Sequence, residues 1–198
     1  RWRRHMGLHI VAISGASGAR YGVRLIEALR ASGEDVRLII SREGAINLEL
    51  ECSMTPEELA ENYGCILENN QNLAAKSASG SATINSVVIC PASGTSISKI
   101  AAGISDNLVT RSAIVALKEK RTLILVPREA PYATIHLENM TKISQWGGVV
   151  IPASPGFYNN PQTIDDLVDF IVARILDQLG IENELTTRWT GKEIESTE

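Results

Sequence analysis

The chain has 198 residues, of which 44% are hydrophobic and 21% charged, with a formal net charge of −4. These proportions fit one globular domain with a sizeable core and exclude a disordered or fibrous chain. The acidic balance gives nucleic acid no footing, and no apolar run approaches the roughly 18 residues a membrane helix needs.

Residues Arg1 to His5 precede a Met-Gly and match no element, so they read as an appended leader. No signal peptide is legible, and a cytoplasmic location is expected. The first strand, His9–Ser14, runs into Ser14-Gly15-Ala16-Ser17-Gly18. A helix over Arg20–Ser32 follows, with Val23, Ile26 and Leu29 on one stripe and Gly33 as its C-cap. Small residues between strand and helix leave backbone N–H groups unpaired at the positive end of the helix, so the turn reads as a phosphate or nucleotide cradle. The alternative is a tight turn whose glycines serve packing only. Its spacing is neither G-x-G-x-x-G nor G-x-x-x-x-G-K-[ST], which argues against a standard dinucleotide fold and a P-loop ATPase.

A second strand, Asp35–Ser41, leads to a helix-like segment carrying Glu49 and Glu51. Thr55-Pro56-Glu57-Glu58 is a capping box with proline at the first helical position, opening Glu58–Asn62. The small, polar stretch Ala74–Ala82 reads as a mobile loop or a close-approach surface. Strands at Ser86–Cys90, Thr122–Val126 and Gly148–Ile151 alternate with helices at Leu108–Lys120, Thr134–Trp146 and Thr163–Leu179. Residues 192–198 read as a disordered tail. Cys52, Cys65 and Cys90 form no C-x-x-C pair, so free thiols are expected, with no disulfide framework and no zinc site.

Alternating strands and helices predict an α/β fold, a single-domain doubly wound parallel sheet whose ligands sit beyond the carboxyl ends of its strands. The loops at those ends are Gly15-Ala16-Ser17-Gly18, Ser41, Pro91-Ala92-Ser93-Gly94-Thr95-Ser96, Pro127-Arg128-Glu129-Ala130-Pro131 and Pro152 to Tyr158. Two hydroxyl-rich turns converging on one crevice make a better phosphate site than either alone. Arg128 and Glu129, held between prolines, are either a solvated pair worth at most about 1 kcal/mol or part of a site. Tyr158 reads as packing or as ligand. Arg174 lies among Leu167, Phe170 and Ile171 of the last helix, so it is expected near the buried stripe, where a guanidinium needs an anionic partner. For Arg111 and Lys118 the plain reading is a solvated helix surface. His9 and His136 have no partner at catalytic or metal spacing and receive no role.

Five stretches together resemble the UbiX family of flavin prenyltransferases: Ser14–Leu25, Pro91–Ala101, Thr110–Arg121, Leu125–Pro131 and Pro152–Phe170. The resemblance covers nearly all of Leu8–Gly191. It implies a flavodoxin-like or Rossmann-like three-layer domain over residues 8–180, with residues 181–191 as an extension completing the site. It also implies metal-independent transfer of the five-carbon group of dimethylallyl phosphate to reduced FMN. The product, prenylated FMN, serves a UbiD-type decarboxylase. Relatives are commonly homo-oligomers, often dodecamers, with sites built at subunit contacts.

Carried over by position, Gly15, Ala16, Ser17, Ser41, Ser93, Gly94, Thr95, Ser96 and Arg128 would hold FMN. Lys118, Arg128, Glu129, Tyr158 and Arg174 would bind the prenyl phosphate. Ionising an allylic phosphate without a metal needs fixed cations around the leaving group, which fits Lys118, Arg128 and Arg174. Glu129 would hold or donate a proton. Ser17 relayed to Glu51 would take one from the flavin edge, and Trp189 would offer the allylic cation a π-surface. One departure stands out: Ala82 follows Ser79-Gly80-Ser81, where many relatives place an aromatic. The rivals are a flavin-dependent peptidyl- or pantothenoyl-cysteine decarboxylase and a non-catalytic FMN carrier. The first should carry Pro-x-Met-Asn-x-x-Met-Trp and a histidine near the first helix, and this chain has neither.

Overall fold

In the computed structural model, residues 7–187 are described. Six parallel strands form one sheet: β1 (Leu8–Ile13), β2 (Asp35–Ile40), β3 (Ile66–Glu68), β4 (Ser86–Ala92), β5 (Thr122–Pro127) and β6 (Val149–Val150). Their order is β3-β2-β1-β4-β5-β6. The helices are α1 (Ala19–Ala31), α2 (Arg42–Cys52), α3 (Pro56–Tyr63), α4 (Gly94–Ala101), α5 (Leu108–Lys118), α6 (Thr134–Gln145) and α7 (Ile164–Gln178).

Side chains alternate across each strand, so one run of β-branched residues fills two cores. Val11, Ile13, Leu38, Val88 and Ile124 face a cluster that includes Leu25, Ile26 and Leu29 of α1 and Ile171, Ile175 and Leu176 of α7. Ile10, Ala12, Ile39, Val87, Ile89 and Leu125 face the other, with Ile97 and Ile100 of α4, Leu108 and Ala113 of α5, and Ile143 of α6. The three-layer, doubly wound sheet is the architecture predicted.

Strand order reverses between β1 and β4, the point at which such sheets open a crevice at their carboxyl ends. Close approach of α1 to β4 depends on Gly22, where a Cβ would stand 2.4 Å from the Cys90 carbonyl oxygen.

Two elements escaped the sequence reading. The turn after β4 is already helical from Gly94, and an edge strand of three residues, β3, follows α3. The stretch Ala74–Ala82 contains a 3₁₀ turn at Lys76–Ala78 with Ser77 buried, so it is a packed surface. Residues 1–5 and 192–198 lie outside the described residues.

Candidate functional site

A crevice of about 630 Å³ opens at the switch point, lined by Gly15 and Ala16 after β1, Ser93 to Thr95 after β4, and Arg128 and Glu129 after β5. Buried Ser14 ties its two halves together. Its Oγ donates to the Pro91 carbonyl at 2.8 Å and accepts the Ser93 N–H at 2.8 Å. The hydroxyl thus holds the two predicted turns in register.

The helix starts that follow β1, β2 and β4 are used differently. At α1 the carboxylate of Glu51 accepts from Gly18 N–H at 2.7 Å and Ala19 N–H at 3.1 Å, and Ser17 Oγ donates to it at 3.1 Å. This narrows the reading of that turn as an open phosphate cradle: a carboxylate of the same chain already occupies the Gly18 and Ala19 amides, while Gly15 and Ala16 line the crevice. At α2, Ser41 Oγ caps Gly44 N–H at 3.0 Å. At α4, Ser93 Oγ accepts from Ser96 N–H at 3.1 Å and donates to Ser96 Oγ at 3.1 Å, while the Gly94 and Thr95 backbones line the crevice. Behind them Cys90 is fully buried; burial pushes its thiol far up and offers no thiolate to the site.

Beyond β5, Arg128 is partly buried, with its Nε shut from solvent and without a hydrogen-bond partner among the described residues. Glu129 is exposed and accepts the neighbouring Ala130 N–H at 3.0 Å. An unsatisfied buried guanidinium nitrogen at a crevice is costly, and an oxygen from a bound ligand would relieve it.

The remaining predicted residues stand elsewhere on the protomer. Lys118 ends α5 beside the start of β5, with its Nζ 3.2 Å from Glu119 and its side chain mostly exposed. Arg128 follows the far end of that six-residue strand, about 20 Å away at the usual rise per residue. Close by Lys118 lies the loop holding Ala82; a Cβ on Gly80 would sit 3.2 Å from Lys118 Nζ. Arg121 fastens this loop through the Gly80 and Ala82 carbonyls at 2.5 and 2.6 Å.

Tyr158 packs edge-to-face on Phe170, with centroids 5.7 Å apart. The expectation of a buried Arg174 is corrected: its side chain is 54% exposed and pairs with Asp177 at 3.0 Å. Leu167, Phe170 and Arg174 form one i, i+3, i+7 row, whereas the core stripe is Val168, Ile171, Val172, Ile175 and Leu176. Of the apolar neighbours named for it, Leu167 and Phe170 share its flank, and only Ile171 belongs to the core stripe. Trp189 lies outside the described residues.

Sequence reasoning also missed Ser98, Lys99, Ala102 and His136, all of which line the crevice. The first three share a face of the α4 segment with Thr95, at spacings of three and four, and that periodicity was the available signal. Lys99 is held by Asp106 at 3.1 Å.

The donor set fits a flavin nucleotide. Gly15 and Gly94 keep backbone open where a Cβ would come within 2.7 Å of Glu43 and 2.9 Å of His136, and Arg128 waits for an acceptor.

The family model described as Flavoprotein matches residues 4–176. The flavin prenyltransferase UbiX of Thermoplasma acidophilum is 48% identical over 184 residues, covering 91% of this chain and 98% of its own. The chain belongs to the UbiX flavin prenyltransferase family. Among solved structures, AnUbiX (PadA1) in complex with FMN and dimethylallyl pyrophosphate matches with a TM-score of 0.92 at 33% identity, over 96% of this chain and 100% of that one. A dodecameric FMN-dependent UbiX-like decarboxylase from Escherichia coli O157:H7 matches with a TM-score of 0.90 at 41% identity, over 93% and 100%. The doubly wound parallel sheet agrees with the fold that the resemblance read from the sequence implies. Among the described residues no helix is long and apolar enough to cross a membrane.

Proposed function

We propose that this UbiX-family chain joins the dimethylallyl group of dimethylallyl phosphate to reduced FMN, without a metal, and passes prenylated FMN to a UbiD-type decarboxylase in the cytoplasm. The observation that carries this reading is the pair Arg128–Glu129 at the flavin-sized crevice: among the described residues, a cation with a buried nitrogen that has no partner stands beside an exposed carboxylate held only by the Ala130 N–H at 3.0 Å. Flavin binding alone needs the cation; a second, leaving phosphate gives the carboxylate a task.

Gly15, Ala16, Ser41 and the Ser93–Ser96 turn hold the flavin nucleotide, and Arg128 bridges it to the prenyl phosphate. Reduced FMN supplies the nucleophilic ring edge. The chain's own residues stabilise the departing anion and handle protons. Lys118, Arg128, Arg174 and the Tyr158 hydroxyl surround the leaving phosphate, and Glu129 holds or gives the proton that leaves with it. The Ser17 hydroxyl, already hydrogen-bonded to Glu51, relays a proton from the flavin edge to that carboxylate. Trp189, on the resemblance alone, is assigned the π-surface for the allylic cation.

Because Lys118 stands at the amino end of the sheet and Arg174 on an outer flank of α7, the set closes only between copies. The site therefore belongs to a homo-oligomer, a dodecamer on the pattern of the E. coli structure. The cysteine decarboxylase and the FMN carrier are disfavoured: α1 carries no histidine, and a carrier would leave Glu129 and Arg174 without a second anion.

The experiment is incubation of the purified protein with dithionite-reduced FMN and dimethylallyl phosphate, followed by mass spectrometry of the flavin. A flavin heavier by one five-carbon unit is expected. Recovery of unmodified FMN alone rejects the assignment.

A further inference from the structure

His136 carries no role in any reading above, yet its ring is one of the most firmly fixed groups in the crevice. It stands at the third position of α6 and reaches back to the start of its own helix, where Nδ1 accepts the Ala133 N–H at 3.1 Å. Tyr132 meets the ring edge-on, with centroids 6.1 Å apart. One turn further along α6, buried Asn139 donates to Ser98 Oγ at 3.1 Å and so fastens α6 to α4. The remaining face of the ring lies against Gly94, whose missing side chain makes room for it: a Cβ there would be 2.9 Å from Nε2.

These contacts also settle the proton. A backbone N–H meets Nδ1 only when that nitrogen is bare, so in the neutral ring the hydrogen is on Nε2. Nε2 is the ring atom nearest Gly94, and both line the same crevice. It is a donor with a fixed direction at the start of α4, where the backbone also presents N–H groups and the positive end of the helix favours electron-rich oxygen.

We propose that His136 is a positioning residue of the flavin site, donating from Nε2 to an oxygen of the bound flavin nucleotide at the start of α4. The inference rests on the proposed function for its ligand. The acceptor is an oxygen of high negative charge density, on either the phosphate or the pyrimidine ring. On the protein side, the same ring that caps α6 turns a helix-capping contact into a ligand contact, so α6 is ordered before flavin arrives.

Asparagine places its Oδ1 near the position of Nδ1, and glutamine places its amide near the position of Nε2. His136→Asn keeps the cap and removes the donor; His136→Gln keeps a donor. FMN and riboflavin affinities are measured by titration calorimetry on the whole oligomer, beside melting temperatures without ligand. His136→Asn is expected to weaken FMN about five- to ten-fold, the worth of one neutral hydrogen bond, with its melting temperature unchanged. His136→Gln is expected to stay within about two-fold of wild type by the same measure. Weakening with FMN but not riboflavin places the acceptor on the phosphate, and equal weakening places it on the ring. Unchanged affinity for both ligands in His136→Asn overturns the proposal. Should that variant melt early, His136→Met against His136→Gln gives the same comparison, and equal affinities there overturn it as well. Wild-type protein that binds no FMN would instead defeat the proposed function.

Discussion

Replacing Glu51 with alanine tests whether α1 begins on an internal carboxylate or on a site open to phosphate. The carboxylate accepts from Gly18 N–H, Ala19 N–H and Ser17 Oγ at 2.7, 3.1 and 3.1 Å, across more than thirty residues of sequence. Removing a cap of this kind costs about 1 kcal/mol. Loss of a negative charge at a helix N-terminus adds about 0.3–1 kcal/mol, toward the lower end here because Glu51 is exposed and screened by water. The sum, about 1–2 kcal/mol, corresponds to a fall of about 3–6 °C in melting temperature for a chain of this length. Glu51→Gln keeps a neutral acceptor and should fall about half as far. Scanning calorimetry without flavin reads both, and FMN titration reads the ligand side. Under the capping account FMN affinity changes little in Glu51→Ala, because its phosphate goes to another helix start. A melting temperature unmoved by the substitution, or FMN bound at least about ten-fold more tightly, would refute the reasoning. The second result would mean that Glu51 competes with phosphate.

Gly22→Ala sets a methyl 2.4 Å from the Cys90 carbonyl oxygen and 2.9 Å from Ile13 Cγ1, so α1 must lift from the sheet. A loss of about 2–3 kcal/mol in urea unfolding is expected, and a loss under about 0.5 would show that the contact relaxes freely. His9 is 4% exposed; burial holds its imidazole below the usual 6.5, against the opposing pull of Glu34 at 3.3 Å. A depressed histidine stabilises the fold above pH 6.5 and loses that contribution as pH falls through 6.5 toward the folded value. Melting temperature should therefore drop between about pH 7.5 and about pH 5.5, with a shallower slope in His9→Gln. A rise on acidification would mean that the Glu34 pair outweighs burial. Glu129→Gln should bind FMN yet lose turnover, as should Lys118→Ala. If Lys118 acts across a subunit contact, co-refolding these two variants restores part of the activity in mixed oligomers. No recovery at any ratio would confine the site to one protomer.

The sheet was legible because its strands are continuous β-branched runs ended by Gly, Pro or Ser, and a strand buried on both faces can hardly read otherwise. β3 was not, since an edge strand of three residues buries too little to leave a pattern. The start of α4 was hidden by its composition. Gly94-Thr95-Ser96 is poor helix sequence, and only tertiary packing through Ile97 and Ile100 makes it helical. The loops at the strand ends were predicted as the site and the crevice opens there. Arg174 was misjudged because proximity in sequence to Phe170 and Ile171 does not say which side of the helix a residue takes. Its distance from Val168 and Ile175 around the helix decides that.

His136 and Lys118 fail to read for opposite reasons, and both follow from the topology. A lone histidine in a helix carries no signal until its ring is known to face Gly94, a residue more than forty positions away that comes near only when β4 and β5 pair. Lys118 carries a strong motif signal but no geometric one, because α5 must return the chain to the amino end of the sheet before β5 can run parallel to β4. The crossover thus carries the last residue of its helix to the end of the sheet opposite the crevice. Any function for that lysine at a carboxyl-end site has to be intermolecular. The same constraint does not bind Arg128, which follows the strand itself. Of the cations offered to the prenyl phosphate, Arg128 should therefore be the one whose loss weakens FMN binding in the isolated protomer as well as in the assembly.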